Sequence, residues 1–281
     1  MGEGAYRQME RLTEKPKVCL IGAGNVATHL GKAFCHSCDV VQVLSRTEAS
    51  ARRLSDMMGG SCEAITDVAK LRRDADLYVV SVTDDSVADI ARETGDFGGV
   101  WVHTSGSVPA SVFAGLKKQY GVLYPLQTFT RDVEVAMREV PFFVEGNTGE
   151  TAEYISRIAS LISDRVEIAD SERRKKLHLA AVFACNFANQ MWAEADDILH
   201  ESGLSVGYLM PLLKATLAKI EYVSPKEAMT GPARRGDIEV MKAQMAQLDG
   251  IRRDIYQLIS SRIYHEAGHK GDIFVASDFR Q

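Results

Sequence analysis

Between Lys17 and Thr47 the chain reads apolar run, glycine turn, helix-period segment, apolar run, and few folds accept that order. Val18-Cys19-Leu20-Ile21 is apolar without a break, as a strand buried on both faces must be, and it runs straight into Gly22-Ala23-Gly24-Asn25-Val26-Ala27. Gly22 suits the tight turn. Gly24 leaves the backbone bare for a ligand, and the small Ala27 lets the following helix lie against the strand. The N–H groups at the start of that helix, around Gly24, Asn25, Val26 and Ala27, face any anion resting on the turn, and the helix dipole adds to the attraction. This is the pattern of a unit that cradles a dinucleotide pyrophosphate.

The second apolar run ends in Ser45-Arg46-Thr47. In a site for NAD, a carboxylate about 20 residues past the glycines accepts bonds from the ribose 2′-hydroxyl. A guanidinium there binds a 2′-phosphate with charge-assisted bonds and stacks on adenine, and the two hydroxyls add donors. The expected cofactor is therefore NADP, held by Gly22, Gly24, Asn25, Val26, Ala27, Ser45, Arg46 and Thr47. The competing reading is a ligand-free turn followed by an ordinary surface arginine.

From Lys17 to Ala169 strands alternate with helical segments, which predicts an α/β fold with a Rossmann-type, doubly wound parallel sheet. Strands are expected at 18–21, 40–44, 62–65, 77–82, 100–103, 121–124, 141–144 and 166–168. Helices are expected at 48–58, 67–73, 86–93, 109–120 and 151–162. After Asp170 the pattern becomes helical throughout, with segments at 171–201, 206–222, 238–248 and 251–267. The predicted domains are 17–169, binding NADP, and 170–281, an all-helical C-terminal domain for substrate and dimerisation. A short junction between them implies a cleft.

The bulk numbers narrow the function classes. With 281 residues, 46% hydrophobic and 25% charged, the chain is long enough for two cores. A net charge of −5 argues against a nucleic-acid partner, and the basic run Arg173-Arg174-Lys175-Lys176 reads as the solvated first turn of a helix. No apolar run spans a bilayer and no secretory segment opens the chain, so no membrane role and a cytoplasmic location are expected. Residues 1–15 read as a polar lead-in. Five cysteines without framework spacing read as reduced thiols, and no metal site is expected despite the spacing of Cys35-His36-Ser37-Cys38.

Ligands of doubly wound sheets sit outside the carboxyl ends of the strands, where strand order reverses. That rule selects Val82-Thr83, which would border the cofactor, and His103-Thr104-Ser105-Gly106-Ser107. In the latter loop Ser105 would touch the nicotinamide and Ser107 the substrate, unless both only cap the next helix. Tyr124-Pro125-Leu126-Gln127-Thr128-Phe129 sets polar groups at an apolar strand's end, so Tyr124, Gln127 and Thr128 are candidate substrate contacts. The segment 177–189 is apolar nearly all round, which predicts a helix buried between layers. His178, Asn186 and Asn189 interrupt it along one stripe. His178 is the candidate general acid, Asn186 a donor to the substrate oxygen, and Asn189 a further substrate contact; a core histidine bonded to a carbonyl is the alternative. In Thr230-Gly231-Pro232-Ala233-Arg234-Arg235-Gly236-Asp237, Asp237 is expected to cap a helix and Arg234 to clamp an anionic substrate or reach a dimer partner, against the alternative of a solvated turn.

Together these segments resemble a family of NADP oxidoreductases, relatives of pyrroline-5-carboxylate reductase and 6-phosphogluconate dehydrogenase, that pair a Rossmann domain with a helical domain of unknown function. The resemblance covers nearly all of 17–267, and the Tyr124–Phe129 and Thr230–Asp237 loops are its more specific part. It implies a nicotinamide cofactor and a helical domain that often dimerises. In the hydroxyacid dehydrogenase cousins a lysine four residues before an asparagine does the acid-base chemistry. Here Val182 stands four before Asn186, so that pair is absent and His178 is the available substitute. The expectation is an NADP-dependent oxidoreductase moving hydride to or from a small carbonyl or imine compound in the inter-domain cleft, its partners being that substrate and, through the helical domain, a second copy of the chain. Its rival is a catalytically inactive NADPH-binding sensor.

Overall fold

Runs rich in β-branched and aromatic residues form strands, fully buried in β4 and β5, and the described residues hold eight: β1 (Lys17–Ile21), β2 (Asp39–Leu44), β3 (Glu63–Ile65), β4 (Leu77–Val80), β5 (Val100–His103), β6 (Gln119–Pro125), β7 (Phe142–Gly146) and β8 (Val166–Ile168). The structure is a computed structural model describing residues 15–59, 61–271 and 273–274. The expected polar lead-in lies, but for Lys15, outside them.

The strands form one sheet in the order β3-β2-β1-β4-β5-β6-β7-β8. All neighbours are parallel except β6 and β7, which pair antiparallel with Tyr124 opposite Phe143 and Val122 opposite Glu145. Helices α1 (Asn25–Phe34), α2 (Glu48–Met58), α3 (Asp84–Glu93) and α4 (Gly149–Ser160) connect them. Each buries one stripe; α1, for example, buries Ala27, Leu30, Gly31 and Phe34. The two faces of the sheet carry separate cores, one around Leu20, Phe34, Val79 and Phe142, the other around Ile21, Tyr78, Trp101 and Phe113.

All eight expected strands form, but two expected helices do not. Over 109–120 there is a single 3₁₀ turn, Ala110–Phe113, because Gly115 takes φ +75° and the residues from Gln119 onward join β6. Over 67–73 the helix is again one 3₁₀ turn, Val68–Lys70, capped by Asp67.

The helical half begins with α5 (Ser171–Ala181), passes through a π turn (Val182–Phe187) and continues as α6 (Ala188–His200). After a 3₁₀ turn (Val206–Leu209) come α7 (Met210–Lys219), the short α8 (Pro225–Ala228) and α9 (Pro232–Arg235), α10 (Ile238–Met245) and α11 (Gly250–Glu266). The sequence pattern changes near 170, whereas the compact units divide between Asn186 and Phe187, within the π turn. The first unit therefore takes in α5. Within the second, Met241, Met245, Tyr264 and Phe274 form a small core. Arg252 of α11 also holds Glu194, Asp197 and Glu201 at 2.9, 3.3 and 3.2 Å.

Strand order reverses at β1, which lies between β2 and β4, and Gly22 closes that strand at φ +111°. A Cβ on Gly22 would stand 2.1 Å from the Ser81 carbonyl oxygen. Gly31 serves the same end one helical turn past Ala27, since its Cβ would meet the Leu20 side chain at 2.9 Å. Gly22→Ala is expected to destabilise the fold by at least about 2 kcal/mol through strain and overlap, as read from urea unfolding midpoints; an unchanged midpoint would refute this account of the turn.

Candidate functional site

At the carboxyl end of β1 the helix α1 begins with its N-terminus undressed. Gly24 is its N-cap, with no side chain accepting from the first-turn N–H groups and no acidic residue in that turn. A Cβ on Gly24 would meet nothing within 4 Å. The open space at Gly24 and the uncapped N–H groups form a cradle of the kind a pyrophosphate fills, so this corner fits a dinucleotide. Arg53 of α2 donates to the Ala23 carbonyl at 3.2 Å and steadies the turn. Asn25 turns away from the cradle and donates to the Phe129 carbonyl at 2.9 Å. Val26 is half-buried and Ala27 fully buried beneath the turn.

At the end of β2, Arg46 and Thr47 are exposed and Ser45 half-buried. Thr47 caps α2 through Ser50 at 3.4 Å, so its oxygen is engaged. The nearest carboxylate in sequence, Glu48, is engaged by Arg52 at 2.6 Å. Among the described residues nothing pairs with the Arg46 guanidinium. Thr83 is exposed at the start of α3, its hydroxyl bonded to that of Ser86 at 2.9 Å, while Val82 is half-buried beside Gly22.

The ends of β5 and β6 carry the strongest convergence. Tyr124 is buried at the end of β6, and its hydroxyl lies 2.9 Å from Nδ1 of His178 on α5. The imidazole is backed by Gly106, where a Cβ would meet the ring at 2.6 Å, so only glycine admits the histidine here. Burial pushes the Tyr124 phenol up, and the nearby Arg174 charge pulls it back. Ser105 accepts from the N–H groups of Ser107 and Val108, both at 3.0 Å, and so shapes its own loop; it caps no helix. Ser107 is exposed, as are Gln127 and Thr128, the Gln127 side chain accepting from the Thr128 N–H.

One turn before His178 sits a residue that sequence reasoning misplaced. Arg174, expected in a solvated basic run, is fully buried. Its guanidinium pairs with Glu145 of β7 and donates to the Val108 carbonyl at 2.6 Å and to the Ser171 hydroxyl at 3.2 Å. Ser171 in turn donates to Glu145 at 2.8 Å. A four-residue offset from His178 was the available signal, because it places both side chains on one helical face.

The rest of that helix departs from expectation in the opposite sense. Leu179, Phe183 and Phe187 are exposed, at 58%, 64% and 49%, so the segment is not buried between layers of its own chain. The π turn places Asn186 and Asn189 on the surface, and among the described residues no hydrogen bond joins either to Tyr124 or His178. Arg234 is exposed on α9, with its carbonyl bonded to His269 at 3.2 Å. Asp237 stands at the N-cap of α10 as expected, but its side chain accepts none of the first-turn N–H groups, its carboxylate being taken by Arg235 at 2.8 Å. Burial pushes the Cys38 thiol up to about 12, so it stays protonated at neutral pH. No helix among the described residues is long and apolar enough to cross a membrane.

Two family models match the chain, one over each half. Residues 140–263 match a family described as a domain of unknown function, DUF2520, and residues 3–93 match the shikimate/quinate 5-dehydrogenase family. A Bacteroides fragilis protein assigned as an NADP oxidoreductase is similar at 41% identity with a TM-score of 0.84, over 89% of this chain and 98% of that one. An imine reductase from a Pseudomonas species is 16% identical with a TM-score of 0.64, over 95% and 99% of the two chains. A reductive aminase from Aspergillus terreus, in complex with NADPH and ethyl levulinate, is 14% identical with a TM-score of 0.57, over 95% and 92%. These last two share the fold. No curated protein matches.

The loop behind the tyrosine makes a pH-dependent contribution. His103 is fully buried and accepts from the Ser105 N–H at 3.2 Å through Nδ1; burial, and then the Arg174 charge, lower its pKa from 6.5 to about 3. The native imidazole stays neutral while the unfolded chain takes a proton, so its contribution is full above about pH 6.5 and is lost as pH falls toward 3. Between pH 7 and 5 the wild type is expected to lose about 2 kcal/mol more unfolding free energy than His103→Gln, measured in urea; parallel curves would contradict this.

Proposed function

The chain belongs to the family of NADP oxidoreductases that join a Rossmann domain to a DUF2520 helical domain, and from that premise we propose that it reduces a small imine or carbonyl compound with NADPH. The observation that carries the chemistry is the Tyr124–His178 contact at the end of β6, beside the loop that follows β5. When bound, the reduced dinucleotide supplies a hydride to the C=N or C=O carbon. A proton must then reach the nitrogen or oxygen. With its proton on Nδ1, His178 donates to the phenol oxygen, and the Tyr124 hydroxyl is left to give its own proton to the substrate. His178 then passes its Nδ1 proton to the phenolate while Nε2 takes one from solvent water, so the ring ends neutral. Asn186, exposed on the same helical run, is assigned as a donor to the substrate heteroatom, with Gln127, Thr128, Ser107, Asn189 and Arg234 as further substrate contacts.

Preference for NADP over NAD rests on Arg46. Its guanidinium stands at the end of β2 without a partner among the described residues, and the adjacent carboxylate is occupied by Arg52, so a 2′-phosphate meets unopposed positive charge. Fluorescence titration is expected to show NADPH bound at least about tenfold more tightly than NADH, with Arg46→Ala abolishing the difference. A screen of cyclic imines and small ketones should show NADPH oxidation that falls about a hundredfold or more in Tyr124→Phe. Equal affinity for the two dinucleotides would refute the cofactor assignment. Tight NADPH binding without turnover would leave a nucleotide-binding regulatory protein.

The second unit is proposed to pair with its counterpart in another copy. Leu212, Leu217, Tyr222 and Leu258 are exposed at 63%, 65%, 84% and 73%, a density of apolar side chains that a lone subunit rarely presents to water. Light scattering is expected to give twice the chain mass, and Leu212→Asp with Leu217→Asp to shift it to the monomer; a monomeric wild type would refute the pairing.

A further inference from the structure

We propose that the Arg174 guanidinium, held against Glu145 one register step from Tyr124, is the electrostatic partner of the phenolate that Tyr124 becomes on releasing its proton, and that Glu145 sets how much of that charge the phenol feels. The proposal rests on the reading of Tyr124 as proton donor.

Two periodicities bring the four groups together. Tyr124 faces Phe143 and Val122 faces Glu145 across the antiparallel β6–β7 pair, so Tyr124 and Glu145 project from one face of the sheet, two residues apart along the strand direction. That step is about 7 Å. On α5, Arg174 and His178 are four residues apart on one face, a step of about 6 Å. The helix thus lays one contact over each rung: His178 on Tyr124, and Arg174 on Glu145. Such matched spacing puts the guanidinium about one rung from the phenol oxygen, inside the range where a buried charge acts strongly.

The two charges of the pair do not cancel at the phenol. Arg174 is fully buried, while the Glu145 side chain is 20% exposed and so partly screened by water. The remaining partners of Arg174 are neutral oxygens, those of Val108 and Ser171. A net positive field is left on the tyrosine side. The direction of the Tyr124 pKa agrees, with burial raising it and Arg174 lowering it. The titratable groups facing the phenol are Arg174 and His178 from α5, Glu145 from β7 and His103 from β5. Burial holds His103 neutral, with its pKa down at about 3, so it adds no charge above pH 5.

The test gives each charge its own sign. Tyr124→3-fluorotyrosine, installed in the full-length chain, gives one ¹⁹F resonance that reports the phenol, and fluorine brings its titration into a milder pH range. Arg174→Met is expected to raise the midpoint by about one pH unit or more, Glu145→Gln to lower it, and Arg174→Lys to stay nearest the parent. A clamp that acted only by packing would shift both uncharged variants the same way or neither, and either result overturns the proposal. Should Arg174→Met fail to fold, Glu145→Gln decides alone: a lowered midpoint supports the proposal, and an unmoved or raised one overturns it. The readout needs no substrate. A phenol that responds to both charges in a protein without turnover would sink the activity proposed above and leave this inference standing, and turnover with an unresponsive phenol would do the reverse.

Discussion

The rest of this molecule depends on how closely two backbones pass at the end of β1. Gly22 lies where a side chain would overlap the Ser81 carbonyl, and that proximity lets β1 and β4 stay paired to their ends while their helices leave the sheet. β1 is also where strand order reverses, the place where doubly wound sheets leave room for a ligand outside the strand ends, and α1 starts there with its N-terminus uncapped. The next glycine, Gly24, has no packing duty. One glycine is required by the fold; the other is free of that requirement, and the proposed function gives it a ligand.

A second constraint is the buried charge at Arg174. Enclosing a guanidinium is costly unless every strong acceptor nearby is recruited, and here a carboxylate, a carbonyl and a hydroxyl are all committed to it. Those acceptors come from β7, from the loop after β5 and from the start of α5. The cluster therefore fixes α5 against β6 and β7 with a registry that apolar packing alone would leave free to slide, and Tyr124 meets His178 as a result.

The inner strands were legible because parallel strands buried on both faces leave unbroken apolar runs, and the turn after β1 because only a glycine fits at Gly22. Tyr124 and His178 were legible as polar groups inside apolar stretches, which must find partners, though their finding each other required the fold. For Arg174 the sequence offered only its four-residue offset from His178, which does not say that the side chain turns inward. A basic run at a helix start looks the same whether one member turns inward or all face water, and the acceptor Glu145 lies 29 residues away. The apolar helix 177–189 misled in the other direction, since a sequence shows that a surface wants covering but not whether the same chain does the covering. The missing helix after Pro109 follows from Gly115, whose left-handed conformation ends the turn before a helix can propagate. The π turn is invisible to a 3.6-residue count, so the stripe expected to run from His178 through Asn189 loses its phase there.

The strap from β6 back to α1 has a consequence for the order of events. Five residues after Tyr124, the Phe129 carbonyl is gripped by Asn25 at 2.9 Å, its ring lies against His29 with centroids 4.9 Å apart, and His29 donates to the Thr130 carbonyl at 2.9 Å. The first turn of α1 is thereby anchored to the strand end that carries the tyrosine. On the proposed reading, with a dinucleotide on α1 and a substrate at Tyr124, seating the first would stiffen the floor on which the second lands. Such a tether would favour compulsory-order kinetics, with the dinucleotide arriving first and leaving last.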